Sequence, residues 1–533
     1  MKRLACLGIL CASVVGCYQG IDFELEEQAS EGEAGPADEG EPSDTDGGEE
    51  GSEPSTSAFS PVSRLTDRQW RRTVAAAFER DESELDGVVL PADSTDGIFL
   101  TNAVDELGTF DDYISASEAA GALLAPGLVD ACDWLGDTHG CVVAELAGPM
   151  TVLLHRPPSS AQLDAVTAMM LDAIMRGQPV EQVVGAGLSR ALLDPLFLFR
   201  VEVPGEFYGD SVYELDSQDL AARLSLAITD GPPDAQLYAA GQDQSLLVPT
   251  LLEGEVDRIL ALPGAREMIW RFVRSWLGVR NEGGPLAEAM EKETRLFVES
   301  ILYDDAVPLG ELFTANYSYI DASLAELYGV PAPAVDWERY EFPADAQRMG
   351  VLTHASFLSS NGAHERDLAW IFRGRIVVER LFCLPMPDPP PGAVEMADEV
   401  PVRETDPVCG ACHGTLDPVG RLFHAYDSHG ALFEGEEVEE VEGALETGSD
   451  IDGTYTNVLE LNAAMVESGT VDHCFTKMWF QFLVDRKPTG QDLTSVDEAL
   501  LVLSQTRSTR QMLATLLTST AMTKVYIEDY QAP

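Results

Sequence analysis

From Pro61 onward, apolar residues recur at three- and four-residue steps rather than alternating, the spacing that turns one face of a helix towards a core. Between Thr66 and Glu79, Trp70, Val74, Ala77 and Phe78 follow that step behind a threonine suited to cap a helix start. The same pattern predicts helices over Gln162 to Met175, Ser217 to Ile228, Glu255 to Leu262 and Glu288 to Ile301. The predicted fold class is therefore all-α, built of several helical modules. Breaks in the pattern place N-terminal helical modules at 61–205, a central one at 206–335, a third at 346–445 and a C-terminal one at 446–533. Pro385 to Pro391 interrupts the third, and the charged stretch to Asp406 reads as a linker or surface loop. The acidic run from Glu434 to Glu442 reads as a solvated loop.

The first 60 residues follow different rules. Met1-Lys2-Arg3 is a short basic start, Leu4 to Val15 is apolar but too short to span a bilayer, and Val14-Val15-Gly16 leads into Cys17. This is the pattern of a signal peptide over 1–16. The cysteine at the cleavage point resembles the lipobox of bacterial lipoproteins, which implies acylation of Cys17, with an ordinary secretory cleavage site as the alternative. Tyr18 at the next position, where an aspartate would favour retention at the inner membrane, leans towards the outer membrane. Residues 17–60 read as a lipidated, disordered acidic tether, because Asp22 to Glu53 holds fourteen acidic residues and no basic one.

Charge narrows the function classes. The 533 residues carry 33 Lys and Arg against 91 Asp and Glu, a formal net charge of −58. Nucleic-acid binding needs a basic footprint that displaces counterions, and no basic run is visible, so that class is excluded. An excess near −46 remains without the signal peptide and tether, which points to steering of a basic partner. No G-x-G-x-x-G follows a strand, and neither G-x-x-x-x-G-K-[ST] nor G-x-S-x-G occurs. His364-Glu365 lacks the second histidine of a zincin helix and reads as a solvated face.

One motif carries chemistry: Cys409-Gly410-Ala411-Cys412-His413 matches C-x-x-C-H. Two thiols three positions apart on a helix can form thioethers with the two vinyl groups of one porphyrin, and the adjacent imidazole can then reach the iron. The alternatives are a redox dithiol, for which the βαβ context is missing, and a zinc site, for which no second paired knuckle exists. Among the other mature cysteines, Cys132 and Cys141 are placed to close a short loop. Cys383 and Cys474 are placed to staple two modules, as an oxidising compartment permits.

The stretch from Cys409 to Gly420, with Asp417-Pro418 inside it, continues to Tyr426-Asp427 and Gly430 and resembles the planctomycete-type and myxobacterial cytochrome c multidomain family. Further blocks resemble that family in the same order. They are Arg64 to Val74, Cys132 to Cys141 with His155-Arg156-Pro157, Tyr213 to Leu237, Asn316 to Val330, Arg348 to Gly362, Arg373 to Cys383 and Phe482 to Leu493. The family often has Ser-Pro-x-x-Arg-Gly where this chain reads Asp367 to Gly374, and the match after the motif is looser. The resemblance implies helical modules, mostly of unknown function, around a small mono-haem cytochrome c-like segment. It implies one covalent haem c held by Cys409 and Cys412, with His413 as proximal iron ligand.

For the distal position Met465 is the nominal choice, with Met396, Met478, His424, His429 and His473 remaining. The expected function is an envelope-anchored c-type cytochrome that exchanges single electrons with a partner protein and meets the membrane only through its lipid. Two alternatives stay open: a substrate-handling oxidoreductase, with carbohydrate as the candidate substrate, that uses the haem as electron acceptor, and a surface scaffold with a structural haem. No catalytic carboxylate pair stands out.

Overall fold

Helix Asp67–Ala77 begins where its capping threonine predicts. Thr66 Oγ1 accepts the Gln69 amide at 3.2 Å, and Gln69 Oε1 accepts the Thr66 amide at 3.2 Å, so two otherwise unpaired donors are satisfied reciprocally. Its apolar stripe, Trp70, Val74 and Ala77, is buried. The computed structural model describes residues 63–95, 98–101, 110–200, 202, 204–209, 212–281, 283–303, 307–361, 369–386, 407–433 and 442–526. All of them fall within one compact unit, Thr56–Pro533. The signal peptide, Cys17, the acidic tether, His364-Glu365, Met396, the charged stretch to Asp406 and positions 434–441 lie outside the described residues.

The fold is predominantly helical, with only small antiparallel sheets of two or three strands, as an all-α class requires. Element boundaries differ from the periodicity in an instructive way. Helices Pro249–Leu260, Pro263–Trp276 and Pro285–Leu302 each start on a proline, whose fixed φ suits a first turn and whose missing N–H costs nothing there. Apolar spacing across Glu255 to Leu262 therefore runs over a true helix end, because Pro263 closes one helix and opens the next.

Residues before 200 share a core of their own around Trp70, Trp134, Met150, Leu188 and Phe197. Within it, helices Phe110–Leu124 and Val180–Leu192 cross at Gly121, where an added Cβ would lie 2.5 Å from the Gly185 carbonyl oxygen. Cys132 and Cys141 are joined by a disulfide in the same region.

The larger core gathers residues from Leu215 to Val525 and takes in Phe99 from the N-terminal part. Its centre is an aromatic cluster in which Phe272 stacks on Trp479 at 3.7 Å, with Trp276, Phe475 and Phe482 packed around them. Helix Pro263–Trp276 and helix Gly469–Val484 are thus held face to face although about 200 residues separate them. Two further ties act alongside. Cys383 is disulfide-bonded to Cys474 across 91 residues. Strand Lys524–Tyr526 pairs antiparallel with Val212–Leu215, where Lys524 Nζ meets Glu214 Oε1 at 2.7 Å. Arg223, buried, donates to the Met522 carbonyl at 2.7 Å and pairs with Glu202. A third, smaller core gathers Ile320, Leu324, Tyr328, Phe342 and Ala355 beside helix Pro285–Leu302.

Candidate functional site

Helix Pro407–Arg421 carries the C-x-x-C-H motif in its first half. Helical geometry puts Cys409, Cys412 and His413 on neighbouring positions of one surface, since residues three and four apart stack over one another. Cys412 packs against the main core, and Cys409 is half-buried. Among the six cysteines of the described residues, these two are the ones outside disulfides. One turn beyond His413 stands Asp417, whose carboxylate oxygen Oδ1 lies 2.7 Å from His413 Nδ1. A carboxylate accepts, so Nδ1 carries the proton and Nε2 is left with its lone pair outward. The His413 side chain is 22% exposed and that of Asp417 only 3%, so the imidazole reaches towards solvent while its anchor stays inside.

The helix is held by close backbone approach. Helix Ala369–Ile376 crosses it at Gly374, where a Cβ would sit 2.6 Å from the Leu416 carbonyl oxygen and 2.8 Å from the Gly420 nitrogen. At Gly420 a Cβ would meet the Trp370 carbonyl oxygen at 2.5 Å. Pro418, inside the helix, removes one intrahelical hydrogen bond, and Gly443 of strand Gly443–Leu445 comes so close that its Cβ would lie 2.4 Å from the Pro418 carbonyl.

The chain leaving this helix is tied down by one guanidinium. Arg373, 1% exposed, donates to the Leu358 carbonyl at 2.9 and 3.1 Å, to Tyr426 at 3.0 Å and to Asp427. Burial lowers its pKa to about 10, which leaves it charged at neutral pH. Asp427 in turn accepts the amides of His429 and Ala431 at 2.8 and 2.9 Å, closing the turn at Gly430. Gly430 has φ +86° and lies against Ala355, so a side chain there fails on both counts. Arg348 donates to the Thr353 and Gly430 carbonyls, and its guanidinium lies 4.1 Å from the ring centroid of Tyr328. The sequence reading noted Asp427, Gly430, Arg348 and the Arg373-Gly374 pair as family-pattern letters but gave the last three no structural role. The Arg-Gly pair that this chain shares with the family pattern was the available signal.

The distal candidates are scattered. Met465 ends helix Val458–Met465 at 1% exposure inside the main core, and Met478 is also buried. No described contact brings either to His413. His424 holds the Arg421 carbonyl through Nδ1 at 2.7 Å, and its buried Nε2 has no hydrogen-bond partner. His429 and His473 are exposed. No group of three or more His, Cys, Asp or Glu side chains forms a metal-ion cage among the described residues.

The residues present fit a covalently attached haem better than a redox dithiol or a zinc ion. The test is the histidine: its Nδ1 is fixed by a buried carboxylate, which sets the tautomer and the ring orientation, as the outer partner of a metal-bound imidazole does. A dithiol needs no such imidazole, and zinc would need further ligands at the same place. Fold and site thus define a class: a modular helical protein with one C-x-x-C-H helix buttressed by glycine crossings.

Comparison with protein families agrees at that level. Residues 215–330 match PSD4, a protein of unknown function (DUF1592), and residues 348–436 match PSCyt3, a protein of unknown function (DUF1588). Both are planctomycete cytochrome c-type repeat families, and the second match contains the C-x-x-C-H helix. Comparison with curated proteins and with solved structures gives no match.

Proposed function

We propose that this chain is an exported c-type cytochrome that carries one haem and exchanges single electrons with a partner protein. The observation that carries the reading is the His413–Asp417 pair one turn beyond Cys409 and Cys412 on a single helix. In this reading Cys409 and Cys412 hold the porphyrin as thioethers, His413 Nε2 is the proximal ligand, and Asp417 positions the ring. Bound haem supplies a one-electron ferric–ferrous couple. The chain's own part is to fix the imidazole tautomer, to hold the helix against Gly374, and to keep the exit loop in place through Arg373. Cys17 is the proposed lipid attachment point, at the outer membrane, and the acidic body favours a basic redox partner. A substrate-handling role for the helical modules is the second reading, and the open groove described next is the observation that favours it.

The test is a covalent haem stain with an α-band spectrum on envelope fractions. Wild type should stain after denaturation, and Cys412→Ser should lose most of the signal and shift the α-band. A wild-type chain without covalent haem would sink the reading.

A further inference from the structure

A chain of net charge −58 would be expected to show acidic walls everywhere, yet one groove is basic. It has a volume of about 1190 Å³, and the described residues around it include five cations: Arg375 pairs with the one acid, Glu379, at 3.4 Å and Arg380 donates to the Ser275 carbonyl at 2.7 Å, while Arg274, Arg280 and Lys487 are the cations on which a ligand can draw. The guanidinium of Arg280 donates to the Ser360 carbonyl, and the Lys487 ammonium meets no carboxylate among the described residues. Arg274 only grazes Glu291, at 4.0 Å. Phe372 stands in the same groove with half of its surface open. A second cavity of about 290 Å³ shares the wall residues Leu100, Arg274 and Ser275 with it, and there Arg68 and Arg271 pair with Asp230 beside Asp485.

We propose that this groove binds an acidic oligosaccharide, a sugar chain bearing carboxylate or sulfate groups. Several cations at separate points along a cleft call for several oxyanions on one ligand, and guanidinium forks match carboxylate and sulfate geometry. The groove exceeds the roughly 300–1,000 Å³ of a pocket for one small ligand, which fits an oligomer. The open Phe372 ring offers the flat apolar face on which a sugar ring can lie. A nucleic acid is disfavoured because it would extend beyond the groove onto a body whose field repels it. At physiological salt the field of the surrounding acidic body is screened over roughly 8 Å, so an oligoanion held inside the groove meets mainly the cations that line it. The donors are side-chain cations rather than a strand edge, which disfavours an extended acidic peptide. The inference goes beyond the haem reading and does not depend on it.

The experiment uses the full chain, with and without Arg280→Gln plus Lys487→Gln. Both residues are exposed, and neither belongs to the C-x-x-C-H helix or its supports. Binding is measured by calorimetry at physiological ionic strength to a sulfated hexasaccharide, an oligogalacturonate, a neutral cello-oligosaccharide, oligoglutamate and a short oligodeoxynucleotide. At least one acidic oligosaccharide should bind, more weakly with added salt, and the double variant should lose about tenfold in affinity. The sulfated and carboxylated arms distinguish the two charge types. The proposal is overturned if neither acidic sugar binds, if the neutral sugar binds equally well, if the double variant binds as wild type does, or if oligoglutamate or the oligonucleotide binds more tightly. Haem staining of the double variant should equal wild type, which keeps a failure here separate from a failure of the cytochrome reading.

Discussion

Glu293 presents a quantitative test of how this fold tolerates charge. Its side chain is wholly buried in helix Pro285–Leu302, where Oε2 accepts the Tyr328 hydroxyl and Oε1 has no partner. The buried Ser318 hydroxyl faces the same carboxyl without closing a hydrogen bond. Burial raises the Glu293 pKa from 4.5 to about 7, against the opposing hydrogen bond from Tyr328 and the charge of Arg348. A raised carboxyl pKa means that the fold prefers the protonated acid. The stabilisation is complete below pH 4.5 and is lost as pH rises through 7. A difference of some 2.5 units corresponds to about 3 kcal/mol, a sizeable part of an ordinary domain's stability. Glu293→Gln keeps the acceptor for Tyr328 and removes the ionisation. In urea unfolding measured from pH 4 to pH 8, wild type should lose about 3 kcal/mol relative to the variant across that range. The two should be nearly equal at the acid end. A difference that does not change with pH, or a variant less stable than wild type at pH 8, would refute the reasoning.

Three further outcomes follow from the site and its supports. Asp417→Asn removes the charge that polarises His413, so in the haem-bearing chain the reduction potential should rise by about 40 mV, equivalent to ~1 kcal/mol; a redox titration with an unchanged or lower potential counts against the positioning role. Gly374→Ala drives a methyl into the Leu416 carbonyl and should cost about 1–3 kcal/mol in denaturant unfolding, whereas Gly414→Ala, with open space around its Cβ position, should cost little of that kind. Replacing Cys383 and Cys474 together by Ser releases a 91-residue loop and should lower stability on the order of 4 kcal/mol, and a change below ~1 kcal/mol would show that the aromatic cluster alone holds the two helices.

The helical class was legible because burial follows the 3.6-residue period, and Thr66 with Gln69 marked one helix start to the residue. Proline-started helices were misplaced by several residues, since apolar spacing says nothing about where the backbone turns. The C-x-x-C-H spacing put both cysteines and His413 on one helix, but the role of Asp417 needed the helix to be seen, because only an i to i+4 register makes it the imidazole's partner. Arg373 was visible as a family-pattern letter, but its role was illegible for a different reason. Its partners are carbonyls from Leu358 to Asp427, and carbonyl positions leave no trace in side-chain letters. The basic groove was hidden likewise, because its cations come from segments more than 200 residues apart and never form a basic run.

The placement of that groove bears on both readings of the protein. Helix Ala369–Ile376 has two occupied faces. Gly374 touches the C-x-x-C-H helix at Leu416 and Gly420, while Phe372 and Arg375 line the groove. A helix with its side chains is about 10 Å across, so a ligand in the groove lies one helix diameter from the proposed haem-bearing helix. The groove's own wall is braced as well: Arg380 hydrogen-bonds the Ser275 carbonyl at 2.7 Å, and three residues later Cys383 is disulfide-bonded to Cys474 on the helix that carries the central aromatic cluster. A carrier that only passed electrons between proteins would need an exposed haem edge and complementary charge, and the acidic body supplies the charge. A cleft of opposite sign, so near the C-x-x-C-H helix and walled by the same rigid element, is not needed for that task. It is accounted for if the helical modules hold an anionic substrate beside the site through which its electrons leave. The electrostatics therefore favour separate entry points for two partners: an acidic ligand into the groove, and a basic protein onto the surrounding surface.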